Sequence, residues 1–151
     1  MRIRADANSA FEPWIREQAR REPRTLRTRR RMRTEDVRCH PDLCTRLGAL
    51  ATDLPSAEFR YVCGFPVLVH RNGTVFAVAA GTTWMALRLP DGGHGAVSRS
   101  QWGTRGLAGD WIDADPWLPE TSAADGLRRA RGWARAAYDH AARLAPPLRR
   151  G

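Results

Sequence analysis

The pattern of apolar residues predicts an α+β fold, an antiparallel β-meander of three to five strands flanked by an N-terminal helix and a long C-terminal helix. Three observations carry this. A leucine stripe at helical spacing begins at Leu43. Short runs rich in Val, Phe and Ala follow between positions 57 and 89, each bounded by Gly, Pro or Asn-Gly. An alanine stripe at spacings of three and four then occupies the end of the chain.

The first helix opens at Pro41, a residue suited to a first helical position, with Asp42 favoured at the positive end of the helix dipole. Leu43, Leu47, Leu50 and Leu54 share one face, and Pro55 is the stop. Over 57–63, Phe59, Tyr61 and Cys63 alternate with Glu58, Arg60 and Val62, as in a half-buried strand. Residues 66–71 form a second strand that runs into Asn72-Gly73. That dipeptide predicts a two-residue I′ hairpin turn, because both residues tolerate positive φ. Residues 74–80 return as a third strand. Residues 83–89 form a fourth, setting Met85, Leu87 and Leu89 against Trp84, Ala86 and Arg88.

Residues 91–109 read as a glycine-rich connection with weak strand or short-helix character near 98–102. A further short strand is expected at 110–113, centred on Trp111 and Ile112, followed by a rigid Pro116-Trp117-Leu118-Pro119 turn. In the final helix Ser122 and Asp125 resemble a capping box. Leu127, Ala130, Ala134, Ala137, Ala141 and Leu144 make its apolar stripe, Arg128, Arg131, Arg135 and Asp139 lie on another face, and Pro146-Pro147 ends it. A stripe of alanines predicts close approach to a sheet.

Charge is distributed unevenly. Residues 1–40 carry 12 Arg against 6 acids, 41–127 carry 6 Arg against 9 acids, and 128–151 carry 7 Arg against 1 acid. The net charge of +9 therefore sits at the two ends of a mildly acidic middle. All 25 basic residues are arginine, a pattern that a GC-rich coding sequence also yields without selection for guanidinium chemistry. The expected organisation is an arginine-rich arm over 1–40, one domain over 41–145 and a basic tail over 146–151. Within the arm, Phe11, Trp14, Ile15 and Gln18 permit a short helix that docks Trp14 on the core. Past Pro23 the periodicity stops and like charges crowd, so that stretch is expected to be flexible when free.

Several function classes lose support. There is no apolar run of signal-peptide type and nothing approaching the roughly 18 apolar residues of a membrane span. Three cysteines without a framework suit a reducing compartment, so the cytoplasm is the expected location. The absence of lysine excludes a Walker lysine, and Ser98 and Ser100 lack a nucleophile elbow. Cys39, His40 and Cys44, with Cys63 and His70 as further donors, do not have zinc-site spacing, and Cys44 lies one position from the leucine stripe, where it serves as a small hydrophobe. No cofactor is expected. Asp110, Asp113 and Asp115 could share a strand face and bind Mg²⁺, but acids flanking an edge strand also serve simply to discourage aggregation. The tryptophans are expected in the core or at its rim rather than on a base-stacking platform.

A basic arm beside an acidic body is a footprint for phosphate-bearing partners. The expected activity is non-enzymatic binding or regulation, in which Arg24, Arg27, Arg29, Arg30, Arg31 and Arg33 contact nucleic-acid phosphates. Two alternatives compete. One is a protein–protein adaptor or antitoxin-like module whose arm folds onto an acidic protein surface. The other is a metal-dependent enzyme using the Asp110, Asp113 and Asp115 cluster.

The runs Pro66-Val67-Leu68-Val69, Thr74-Val75-Phe76-Ala77-Val78 and Met85-Ala86-Leu87-Arg88-Leu89, followed by Asp110-Trp111-Ile112-Asp113 and the helix containing Tyr138, resemble the MmcQ/YjbR-like proteins and the N-terminal domain of TfoX-like proteins. The resemblance covers about residues 41–145. It implies an antiparallel sheet with terminal helices and a DNA-binding or regulatory role, and it assigns no binding residue.

Overall fold

Five strands form one antiparallel sheet in the order of the sequence: β1 (Glu58–Val62), β2 (Phe65–Val69), β3 (Val75–Ala80), β4 (Trp84–Arg88) and β5 (Trp111–Ala114). The computed structural model describes residues 3–21, 37–82, 84–90, 106–107, 109–114 and 123–146. Among the described residues three α-helices accompany the sheet: α1 (Phe11–Arg21), α2 (Pro41–Leu50) and α3 (Ala123–Leu144). The expected α+β class and meander are the observed ones. Ser122 and the 116–119 turn lie outside the described residues, as does most of the 91–109 connection.

Every residue of β2 and β3 is buried, so neither face of the sheet centre meets water. On one side Leu68, Phe76, Ala79, Met85 and Leu87 pack under α2 and α3, with α2 over β2 and β3 and α3 over β3 and β4. The four leucines of the α2 stripe are buried there, although the helix ends at Leu50 and turns carry Leu54 into place. Ala130, Ala134, Ala137 and Ala141 of α3 are buried as its spacing predicts, with Trp133 and Tyr138 beside them.

The opposite face carries Phe65, Val67, Val69, Val75, Val78, Trp84, Ala86 and Trp111, and α1 covers it with Phe11, Trp14 and Ile15. Phe11 stacks on Trp111 with centroids 5.7 Å apart, and Trp14 meets Trp84 at 5.3 Å. Burying three such side chains is worth roughly 1.5–3 kcal/mol each, whereas an isolated helix of 11 residues is marginal in water. Docking therefore makes the helix. The docked short helix expected as one possibility within the 1–40 stretch is therefore part of the core; residues 22–36 lie outside the described residues.

Two turns differ from the sequence expectation. The two-residue turn with positive φ at both positions is Cys63-Gly64, with φ of 51° and 83°, where Val62 pairs with Phe65. Cys63 is thus a turn residue rather than part of a strand. At Asn72-Gly73 only the glycine has positive φ, 85°. The Gly73 N–H donates to His70 O and the His70 N–H to Thr74 O, both at 2.8 Å, giving a three-residue loop. Beyond it the register shifts between Leu68 and Val69, so Phe76 is an extra residue and both Phe76 and Ala77 join the core under α2 and α3.

The three-residue loop frees the Asn72 side chain for another task. Its Oδ1 accepts from the Thr74 N–H at 3.0 Å, and its Nδ2 donates to the carbonyls of Ala141 at 2.9 Å and Ala145 at 3.1 Å. Carbonyls at a helix C-terminus have no partner within the helix, so the hairpin tip caps α3. The N-terminal segment joins the same junction. Asn8 Nδ2 donates to Gly73 O at 2.9 Å, Asn8 Oδ1 accepts from Val75 N at 2.8 Å, and the Arg4 guanidinium donates to Pro146 O at 2.6 Å. Asn8 and Asn72 are each 1% exposed.

Replacing Asn72 by Ala strands these groups away from water and should cost about 2–3 kcal/mol in denaturant unfolding, whereas Arg71→Ala on the exposed side of the loop should change stability by less than about 0.5 kcal/mol. His70, buried against Tyr138 with centroids 4.6 Å apart, titrates below its usual 6.5 because burial disfavours the imidazolium. The unfolded chain then takes up the proton first as pH falls. This contribution is whole above pH 6.5 and is lost progressively below it. Thermal unfolding followed from pH 7.5 to 5 (about that range) should show a falling midpoint, and His70→Gln should flatten that part of the profile.

Candidate functional site

The outer face of α3 is the most one-sided charged surface among the described residues. The alanines at 130, 134, 137 and 141 turn inward, which sets Arg128, Arg129, Arg131, Arg135 and Arg143 outward, and all five are exposed. Asp139 is the acid on that face; it pairs with Arg135 at 3.4 Å across one turn. The Arg135 guanidinium also lies 5.9 Å from the Tyr138 ring centroid, which holds it along the helix. Several cations elsewhere are offset locally. Arg20 and Arg21 both pair with Glu17, the latter at 2.9 Å, and Arg4 pairs with Asp6 at 2.8 Å. The six arm arginines, Arg24, Arg27, Arg29, Arg30, Arg31 and Arg33, lie outside the described residues.

Asp110 and Asp113 are not brought together as a metal site requires. Asp113 is buried and accepts from the Trp84 indole N–H at 3.0 Å, on the side of the sheet covered by α1. Asp110 instead accepts from Arg88 Nε at 2.9 Å and lies 2.6 Å from His140 Nε2 of α3. A carboxylate only accepts, so His140 carries its proton on Nε2. Arg88 donates further to the Ala7 carbonyl, so the group ties the N-terminal segment, β4, the start of β5 and α3 together. The Mg²⁺ reading of the acidic triplet is therefore corrected for these two members; Asp115 lies outside the described residues. Among the described residues no three His, Cys, Asp or Glu side chains gather in metal-binding range.

The cysteine and histidine set also disperses. His40 caps α2, its Nδ1 accepting from the Asp42 N–H at 3.1 Å. Cys63 occupies the β1–β2 turn, and His70 accepts the Asn72 N–H in the next hairpin. Trp14, Trp84, Trp111 and Trp133 are buried core residues, leaving no exposed aromatic platform among them; Trp102, Trp117 and His94 lie outside the described residues. Sequence reasoning missed the Arg88, Asp110 and His140 grouping, because nothing in linear spacing connects three residues from separate elements. Position 140 does fall between the buried and exposed faces of α3, the one local hint that its side chain reaches the sheet edge.

No family model, curated protein or solved structure matches the chain. For the Asp110 centre, the side chains of Arg88, Asp110 and His140 are only 15%, 23% and 15% exposed. Asp110→Asn should therefore destabilise the fold by about 1–3 kcal/mol, measured by denaturant unfolding. The same change at Asp139, half-exposed on α3, should alter it by less than about 0.5 kcal/mol.

Proposed function

We propose that this chain is a non-enzymatic, cytoplasmic nucleic-acid-binding protein of regulatory type, which grips phosphates with arginines carried outside a rigid body. The observation that supports the reading best is the outer face of α3, where five arginines are exposed and Asp139 is the acid among the described side chains. A helix held this firmly by its alanine side keeps the roots of those side chains in fixed register, and arginine's planar fork suits phosphate oxygens. Arg24, Arg27, Arg29, Arg30, Arg31 and Arg33 would add further phosphate contacts, in a run that holds no acid between positions 24 and 33. Contacts of this kind position a protein on a duplex without reading bases. The resemblance to MmcQ/YjbR-like proteins agrees with this reading.

The test is binding of the full chain to a generic fluorescent duplex across a salt series. Log affinity should fall linearly with log salt, by about 0.9 for each phosphate neutralised. Glutamine at Arg128, Arg129, Arg131 and Arg135 should shallow that slope by several units, and so should alanine at the six arm positions. A flat salt response, or slopes unchanged in both variants, overturns the proposal. Co-purification with a single acidic protein and no affinity for the duplex would assign the arginines to a protein partner instead.

A further inference from the structure

The start of α2 brings two thiols together. His40 is the N-cap, so Cys39 stands one position before the cap and Cys44 is the fourth residue of the helix. These are the two positions whose side chains normally pack against each other as a hydrophobic staple. In this chain both are cysteine. Cys44 Sγ lies 4.0 Å from the Cys39 carbonyl oxygen, and both cysteines are buried in the same apolar cluster. Cys39 itself is fixed by a bridge to Gly81, with the His40 N–H donating to Gly81 O at 2.7 Å. The pair is thus held from the sheet on one side and by the helix on the other.

Cys44 also faces a way in. Together with Thr45, Gly48, Phe59 and Tyr61 it lines an open groove of about 270 Å³ between α2 and β1. The space exceeds that of a peroxide molecule many times over. Gly48 keeps the groove open beside Phe59, whose ring would lie 3.7 Å from a Cβ at that position. Tyr61 borders Cys44 in that groove. These neighbours have an electrostatic consequence. The Cys39 thiol foremost, with Tyr61 and the local backbone, brings the Cys44 thiol down to about 7 against the opposing effect of burial, while burial and the nearby sulfurs push Tyr61 up to about 12. Near neutral pH Cys44 is therefore substantially thiolate, the form that reacts. Cys63, though more exposed, packs with the apolar cluster under α1, whereas Cys39 and Cys44 belong to the cluster on the other face of the sheet.

We infer that Cys44 is a peroxide-reactive thiol and that Cys39 is its resolving partner, so that the pair closes to a disulfide across the start of α2. In the first step the Cys44 sulfur attacks one peroxide oxygen. The O–O bond breaks, hydroxide departs and takes up a proton as water, and Cys44 becomes a sulfenic acid. In the second, the Cys39 sulfur gives up its proton and attacks the Cys44 sulfur. The S–O bond breaks, and a second water leaves. Two thiols lose two electrons in all, and the peroxide is reduced to two waters. Because the neighbours of Cys39 are hydrogen-bonded to Gly81 in the β3–β4 turn, closing the bridge couples the oxidation state to one end of the central strands.

The test is treatment of the full chain with hydrogen peroxide near pH 7 (about neutral), followed by tryptic mass mapping without reduction. Both cysteines fall in one tryptic peptide, residues 39–46, with Cys63 in another. That peptide should lose two hydrogen atoms, with no backbone fragments between positions 39 and 44, and Cys63→Ser should behave identically. In Cys39→Ser the bridge cannot form, and Cys44 should accumulate as a sulfenic acid trapped by dimedone. An unchanged 39–46 peptide, oxygen added to Cys44 without a bridge in the parent chain, or a disulfide that includes Cys63 would each overturn the inference.

Discussion

A sheet that is apolar on both faces cannot remain uncovered on either, and most of this structure follows from that constraint. β2 and β3 contain no polar residue at all. Two helices on one face would leave Val67, Val69, Val78, Trp84 and Trp111 in water, a contiguous apolar surface of the kind that drives association. Helix α1 removes it. The segment that composition marks as an arm therefore begins as part of the core.

Covering the second face from the N-terminus creates a closure problem, because α1 must be tied to elements far away in sequence. Two polar centres solve it. Around Asn72 and Asn8, the hairpin tip, the N-terminal segment and the end of α3 exchange buried hydrogen bonds. Around Asp110, Arg88 and His140 couple β4, the start of β5 and α3, with the Ala7 carbonyl included. Buried polar groups are costly unless every partner is in place, and these centres therefore favour one arrangement of helices over alternatives that bury similar apolar area. Asp113 does the same on the α1 side by receiving the Trp84 indole.

This division of labour separates stability from chemistry. Asp110, Asp113, His40, His70 and His140 are engaged in holding the fold, while five arginines of α3 are left outward. The reactive potential lies instead at the start of α2, where cysteines occupy positions that ordinarily hold inert apolar side chains. The arginines proposed for phosphate contact on α3 and the cysteines proposed for oxidation at the start of α2 belong to different elements, so either proposal could hold without the other.

The sequence by itself determined the elements, because each is written in local periodicity. The leucines from Leu43, the alanines from Ala130, the β-branched runs around Val67 and Val75 and the short strand at Trp111 all stand where spacing places them. It also marked Phe11, Trp14 and Ile15 as a possible docked helix. Tertiary structure decided what those elements meet. Asn72-Gly73 announces a hairpin, but the choice of a three-residue loop over a two-residue turn rests on an α3 terminus some 70 residues away, at Ala141 and Ala145. Asp110 and Asp113 look equivalent in the chain, yet one is bound to His140 and the other to Trp84. Cys39 and Cys44 read as a weak metal motif or as filler until the N-cap at His40 puts their side chains in register beside Tyr61. Periodicity records which face of an element is apolar. It does not record which polar atom from a distant element will arrive there, and the site chemistry depends on that arrival.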